Sequence, residues 1–193
     1  MTRKDPGNGN PTVVLIGLMG VGKSSVGRRL AARLGLPFLD ADEEIEKAAG
    51  STIEELFETY GEAHFREGER KVMARLLSGP PHVLAAGGGA FLDPDTRAAI
   101  QACGVSVWLR GDLDLLLARI RRRPARPLLK EGDPRAILTK LIAVRYPIYA
   151  EADVVVEVKD EGVEATVDQV IAALAEYRKD SPVAAWRSGV QST

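Results

Sequence analysis

The run Gly17-Leu18-Met19-Gly20-Val21-Gly22-Lys23-Ser24 holds the residue types that bind a polyphosphate, at the spacing G-x-x-x-x-G-K-S. It stands between an apolar stretch, TVVLI, and a segment with helical periodicity, Lys23–Leu34. Glycines let the backbone curl until several N–H groups point inward, and the helix that follows adds the partial positive charge of its N-terminus. Lys23 supplies a mobile ammonium for the β- and γ-phosphates, and Ser24 is placed to ligate Mg²⁺. Gly20, Val21, Gly22, Lys23, Ser24 and Ser25 together form the expected nucleotide cradle. Strand, spacing and the Lys-Ser pair predict binding of ATP or GTP. They leave open what accepts the phosphoryl group.

The acceptor must be sought among the other polar clusters. Asp40 and Asp42, in FLDADEEI, fall where a second strand ends and a helix begins. Open α/β sheets bind ligands at that edge, and Asp there also suits a helix N-cap. Phosphoryl transfer has two tasks for such carboxylates, organising Mg²⁺ through water and accepting a hydroxyl proton. The third strand carries no terminal Asp, so Asp40 is the expected metal partner. Gly87-Gly88-Gly89 is costly in conformational entropy unless the backbone takes positive φ or admits a close neighbour. Arg66, Arg126 and Arg145 each read alone as surface arginines; brought together they would bind an anion. Arg121-Arg122-Arg123 suits the C-terminal end of a helix dipole. Cys103, His64 and His82 read as structural or surface residues, since one cysteine forms no internal disulfide and two histidines offer no zinc spacing.

Those residues need a scaffold. A chain of 193 residues, 45% hydrophobic and with net charge −1, suits one domain with a sizeable core and gives no electrostatic reason to bind nucleic acid or an anionic membrane. No run approaches 18 apolar residues and no signal-like h-region follows the N-terminus, which points to the cytoplasm. Five short apolar runs (TVVLI, PFLD, HVLAA, VSVWL and DVVVEV) alternate with helical stretches, the last over Val163–Tyr177. This alternation predicts an α/β fold with a parallel sheet covered on both faces, its strands continuous enough in apolar character to be buried on both sides. Residues 41–81 are too many for a simple crossover and carry helix signals at DEEIEKAAG, STIEELFETYG and EAHFREGERKVMARLL. In residues 121–134, Pro124, Pro127, Gly132 and Pro134 predict a long charged loop. Residues 1–11 are expected to be a mobile lead-in, 12–178 the folded domain and 179–193 a loose tail.

In this order the pieces resemble the shikimate kinase family, small P-loop kinases of the nucleoside-monophosphate-kinase fold, over about residues 12–178. The resemblance rests on GLMGVGKS, on Asp40 and Asp42, on Phe65-Arg66 with Glu69, on Gly87–Gly89, on the R-P-L-L of Arg126–Leu129, and on Arg145 with Tyr149. It implies a three-layer sandwich with a five-stranded sheet of order 2-3-1-4-5, and ATP-dependent phosphorylation of the 3-hydroxyl of shikimate, a step toward chorismate and the aromatic amino acids. It further implies that Arg66 and Arg145 grip the substrate carboxylate, while Asp42, Gly88 and Gly89 hold ring hydroxyls and Asp42 is the candidate base. Asp40 would lie near Mg²⁺, Lys23 and Arg126 would stabilise the transferring phosphoryl group, and Arg119 would stack on adenine. Residues of about 41–70 become the substrate-binding segment and about 121–132 the lid, in a chain expected to work as a monomer. One departure is Ala85-Ala86, where the family often carries Ser or Thr near the metal. A gluconate or nucleoside-monophosphate kinase, or a non-catalytic module that senses a small acid, are the competing functions. Against a nucleotide acceptor, the 41–70 segment offers only Phe57, Tyr60 and Phe65 as planar partners; against a sensor, Lys23, Ser24, Asp42 and Arg126 are all present.

Overall fold

A computed structural model describes residues 11–121 and 133–180. Arg126, with nearly all of the expected lid, lead-in and tail, lies outside the described residues. Five strands form one parallel sheet: β1 (Thr12–Ile16), β2 (Phe38–Asp40), β3 (Val83–Ala85), β4 (Gly104–Gly111) and β5 (Val154–Val158), in the order β2-β3-β1-β4-β5. The chain connects them through α1 (Lys23–Leu34), α2 (Ala41–Ala49), α3 (Ile53–Leu77), a 3₁₀ turn (Ala90–Leu92), α4 (Pro94–Cys103), α5 (Leu113–Arg121) and α6 (Pro134–Tyr149), and α7 (Val163–Asp180) follows β5. This is the expected topology. β1 lies in the middle, hydrogen-bonded to β3 on one side and β4 on the other, and all five of its residues are buried. β3 is equally buried.

The edge strands correct the expectation of burial on both faces. β2 is only half-buried, and β5 alternates buried and exposed positions, with Val155 open to solvent. Apolar β-branched character records strand propensity and one buried face; a sheet edge covered by helices on one side only gives the same composition.

Local signals place the helices around the site. Asp40 caps α2, accepting from the backbone N–H of Asp42 at 3.1 Å. Thr52 and Glu55 form a reciprocal capping box at the start of α3. α3 then breaks at Gly61, whose φ of 78° and ψ of 172° are open in practice to glycine alone, so its two halves run in different directions. Pro134, expected to forbid helix, instead opens α6: at the first position its missing N–H has no intrahelical partner to lose, and Asp133 caps the two amides that follow. Register levels the ends of the strands that matter, with Asp40 of β2 beside Ala85 of β3. Among the described residues no helix is long and apolar enough to cross a membrane.

His82, just before β3, is 3% exposed, and its Nδ1–H donates to the Pro80 carbonyl at 2.9 Å. Burial lowers its pKa below the ordinary value of 6.5. The unfolded chain therefore binds a proton that the folded chain resists, so His82 contributes stability that is full above about pH 6.5 and is lost as pH falls below it. Buried Glu69 acts in the opposite sense, its raised pKa favouring the fold toward acid. Melting of the parent and of His82→Gln between pH 7.5 and 5.5 separates the two. The parent is expected to lose more Tm than the variant, by about 2–4 °C per kcal/mol of proton penalty.

Candidate active site

The turn between β1 and α1 has positive φ at Gly17, Gly20 and Gly22, at 144°, 82° and 108°. These conformations curl the loop at the N-terminus of α1, the place where backbone N–H groups and the helix dipole favour anions. Lys23 lies back across the loop, its Nζ donating to the carbonyls of Gly17 at 2.8 Å and Leu18 at 3.3 Å. Ser24 Oγ donates to Asp40 Oδ2 at 2.6 Å, while Asp40 Oδ1 takes the Asp42 amide. Asp40 thus caps α2 with one oxygen and accepts from the Ser24 hydroxyl with the other, which sets the residue expected to partner Mg²⁺ beside the serine expected to ligate it. No cluster of three or more His, Cys, Asp or Glu stands near a common point among the described residues. Hydroxyl and carboxylate oxygens from Ser24 and Asp40 suit Mg²⁺, a hard cation that keeps waters and takes phosphate oxygens. Ala85 and Ala86 add no hydroxyl beside them.

Arg119, on α5, reaches the other flank of the loop. Its Nη1 donates to the Val21 carbonyl at 2.8 Å and its Nη2 to the Lys159 carbonyl at 3.2 Å. It thereby joins the phosphate loop to the β5–α7 connection. Ser25 stands in the first turn of α1.

On the acceptor side, α2, α3 and α6 all aim charged groups at the glycine run after β3. A side-chain carbon built on Gly87 would stand 2.8 Å from Glu69 Oε1 and 3.0 Å from Asp42 Oδ1. One on Gly88 would stand 3.1 Å from Arg145 Nη1, and one on Gly89 only 2.3 Å from Arg66 Nη1. None of the three glycines has positive φ. Of the two reasons for three glycines in a row, close approach is therefore the operative one, and the neighbours include Asp42, Arg66 and Arg145, the side chains expected to hold the substrate.

Two further residues complete this wall. Glu69 is buried and accepts from Arg66 Nη1 at 2.7 Å; burial raises its pKa, and the Arg66 guanidinium opposes the rise. Tyr149 is 1% exposed, and its hydroxyl donates to the Gly88 carbonyl, which also accepts from Arg145 Nη1 at 2.9 Å. Burial raises the Tyr149 pKa, so the hydroxyl keeps its proton and its donor role. Phe91 and Trp108 pack around the Tyr149 ring at 6.4 and 5.9 Å. Both residues were visible in the sequence only as the spacings F-R-x-x-E and R-x-x-x-Y, which put the paired side chains on one helical face. Cys103, His64 and His82 form no part of the glycine-lined wall or the phosphate loop; His64 stacks on exposed Tyr60 at 4.9 Å.

Replacing Gly89 by alanine tests the close approach directly. The new methyl would meet the flexible end of Arg66 rather than backbone, and φ of −102° suits alanine. The fold should hold while the guanidinium is pushed aside. We expect the KM of the acid acceptor to rise about ten-fold, the low end for losing a charge-assisted hydrogen bond, with Tm little changed. Steady-state kinetics and a melting curve on one preparation check both.

The geometry has its counterpart in other proteins. A family model for shikimate kinase matches residues 19–175. A shikimate kinase of Paramagnetospirillum magneticum is 64% identical over 166 residues, spanning 86% of this chain and 85% of that protein. One of Rhodopseudomonas palustris is 55% identical over 90% of this chain and 86% of its own length. Among solved structures, the shikimate kinase of Acinetobacter baumannii in complex with shikimate superposes with a TM-score of 0.84 at 36% identity, covering 90% of this chain and 97% of that one. With the phosphate loop, the sheet order and the glycine-lined wall in place, the chain belongs to the shikimate kinase family.

Proposed function

We propose that this protein transfers the γ-phosphoryl group of ATP to the 3-hydroxyl of shikimate, giving shikimate 3-phosphate and ADP on the route to chorismate and the aromatic amino acids. The observation that carries the proposal is the convergence of Asp42, Arg66 and Arg145 on Gly87–Gly89, at the same sheet edge as the phosphate loop. Two guanidinium groups suit a carboxylate at one end of the acceptor, and a carboxylate with backbone groups suits ring hydroxyls at the other. A nucleotide acceptor explains that pairing less well; gluconate is also a polyhydroxylated acid, and what favours shikimate over it is the likeness to shikimate kinases.

In this reading Gly20–Ser25 cradle the phosphates, Arg119 and Arg126 belong to the nucleotide site, and Arg119 offers its planar face to adenine. Ser24 and, through water, Asp40 would hold Mg²⁺, which would supply neutralisation of phosphate charge. Lys23 swings from the loop carbonyls to the phosphates and stabilises charge on the transferring phosphoryl group, a role Arg126 shares. Asp42 orients the attacking hydroxyl and takes its proton, a modest task when the transition state is loose. Arg66 and Arg145 fix the far end of the ring, so the hydroxyl is held in line with the phosphorus. Residues 12–178 act as one kinase domain, as a monomer in the cytoplasm.

The test is ADP release with MgATP and shikimate, gluconate, AMP or no acceptor, with mass detection of the product. Shikimate-dependent turnover to a mono-phosphorylated acid is the expected result. Turnover with another acceptor alone would remove the assignment of the acceptor site and leave the phosphate loop standing. Binding of shikimate without turnover would make the chain a sensor.

A further inference from the structure

Arg66 is held by two carboxylates, and they hold it differently. Its Nη1 meets Glu69 at 2.7 Å, whereas Nε and Nη2 meet one oxygen of Glu62 at 3.3 and 3.2 Å. The Glu69 side chain is 6% exposed and that of Glu62 is 69% exposed. Glu62 directly follows Gly61, the break in α3, and so stands in the first turn of the second half of the helix, one turn before Arg66.

The Nε–Nη2 edge is the side-on fork by which arginine takes a carboxylate bidentately. Here that fork is filled from within the chain. Glu62 and Glu69 together outweigh the single charge of Arg66, and Asp42 stands across the same glycine wall. A substrate carboxylate therefore approaches a guanidinium whose charge is already matched. The buried partner has no water to retreat to; the exposed one does.

We infer that Glu62 is a specificity-determining competitor, an internal carboxylate on the fork of Arg66 that an incoming substrate carboxylate must displace. The inference rests on the proposed role of Arg66 in binding the acid group of shikimate. Releasing an exposed ion pair costs little, so a true carboxylate displaces Glu62 readily. A neutral ligand of the same shape would leave the pair closed and gain nothing from Arg66. Affinity for the correct acid is given up in exchange for discrimination against ligands that lack one.

The test compares Glu62→Gln and Glu62→Asp with the parent in shikimate-dependent turnover. Gln keeps the length and removes the charge; Asp keeps the charge and withdraws it from Arg66 by one methylene. For both we expect a KM for shikimate about two- to five-fold lower, as for loss of an exposed ion pair, with kcat and the KM for ATP unchanged. A KM that is unchanged or raised in Glu62→Gln, while the parent turns over shikimate, would overturn the inference and leave the activity standing. A lower KM in Gln but not in Asp would also overturn it, because a distant field rather than the contact would then be responsible. Absence of shikimate turnover in the parent would remove both.

Discussion

Replacing Lys23 with alanine is expected to lower kcat by about 10²–10³-fold, the loss seen when one preorganised donor is withdrawn from developing charge. The ammonium is within reach of the phosphate loop already, bound to the Gly17 and Leu18 carbonyls at the mouth of the cradle. Arg119, the cation on the flank of the loop, joins the Val21 and Lys159 carbonyls, whereas Lys23 bonds carbonyls of the loop itself. The fold should survive, because the lost bonds are half-buried side-chain contacts of about 0.5–1.5 kcal/mol each and the loop is shaped by its glycines. Single-turnover rates and a melting curve on the same sample decide the matter. Retained turnover, or a collapse of Tm that accounts for the lost activity, would contradict the role.

The second large effect is expected at Arg145. Methionine in its place keeps the apolar stem and the helix but removes the guanidinium, so kcat/KM for shikimate should fall about 10- to 150-fold, equivalent to about 1.5–3 kcal/mol of charge-assisted hydrogen bonding. The KM for ATP should scarcely move, since Arg145 touches the Gly88 carbonyl and not the phosphate loop. Tyr149 continues to donate to that carbonyl in the variant, which keeps the glycine run in place. An unchanged kcat/KM would exclude the carboxylate role for Arg145 and leave it as a brace for the loop.

Much of this architecture could be read from residue order. The limits of β1 and α1, the strand order and the division of α3 near Gly61 followed from periodicity, glycine punctuation and the shikimate-kinase-like motif set. The convergence of Asp42, Arg66, Arg145 and Gly87–Gly89 followed from the resemblance alone and not from periodicity or spacing, because it depends on three helices packing across one sheet end. Spacing placed Glu69 with Arg66 and Tyr149 with Arg145, but could not show that Gly88 offers one carbonyl to two donors. In sequence, the i,i+4 spacing of Glu62 and Arg66 is that of any surface ion pair; only the fold turns Arg66 toward the glycine wall. β5 misled for a simpler reason, since strand composition does not distinguish an edge from a centre.

Asp40 carries one more consequence. One of its oxygens answers to Ser24 on the nucleotide side, and the other holds the amide of Asp42, at the head of the helix that faces the acceptor. On the proposed reading, a ligand that draws on the first oxygen would change the energy of the second. Thermodynamic linkage then requires reciprocity: whatever factor bound MgATP exerts on the affinity for the acid through this carboxylate, the acid exerts on MgATP, so the two half-sites share a single coupling free energy.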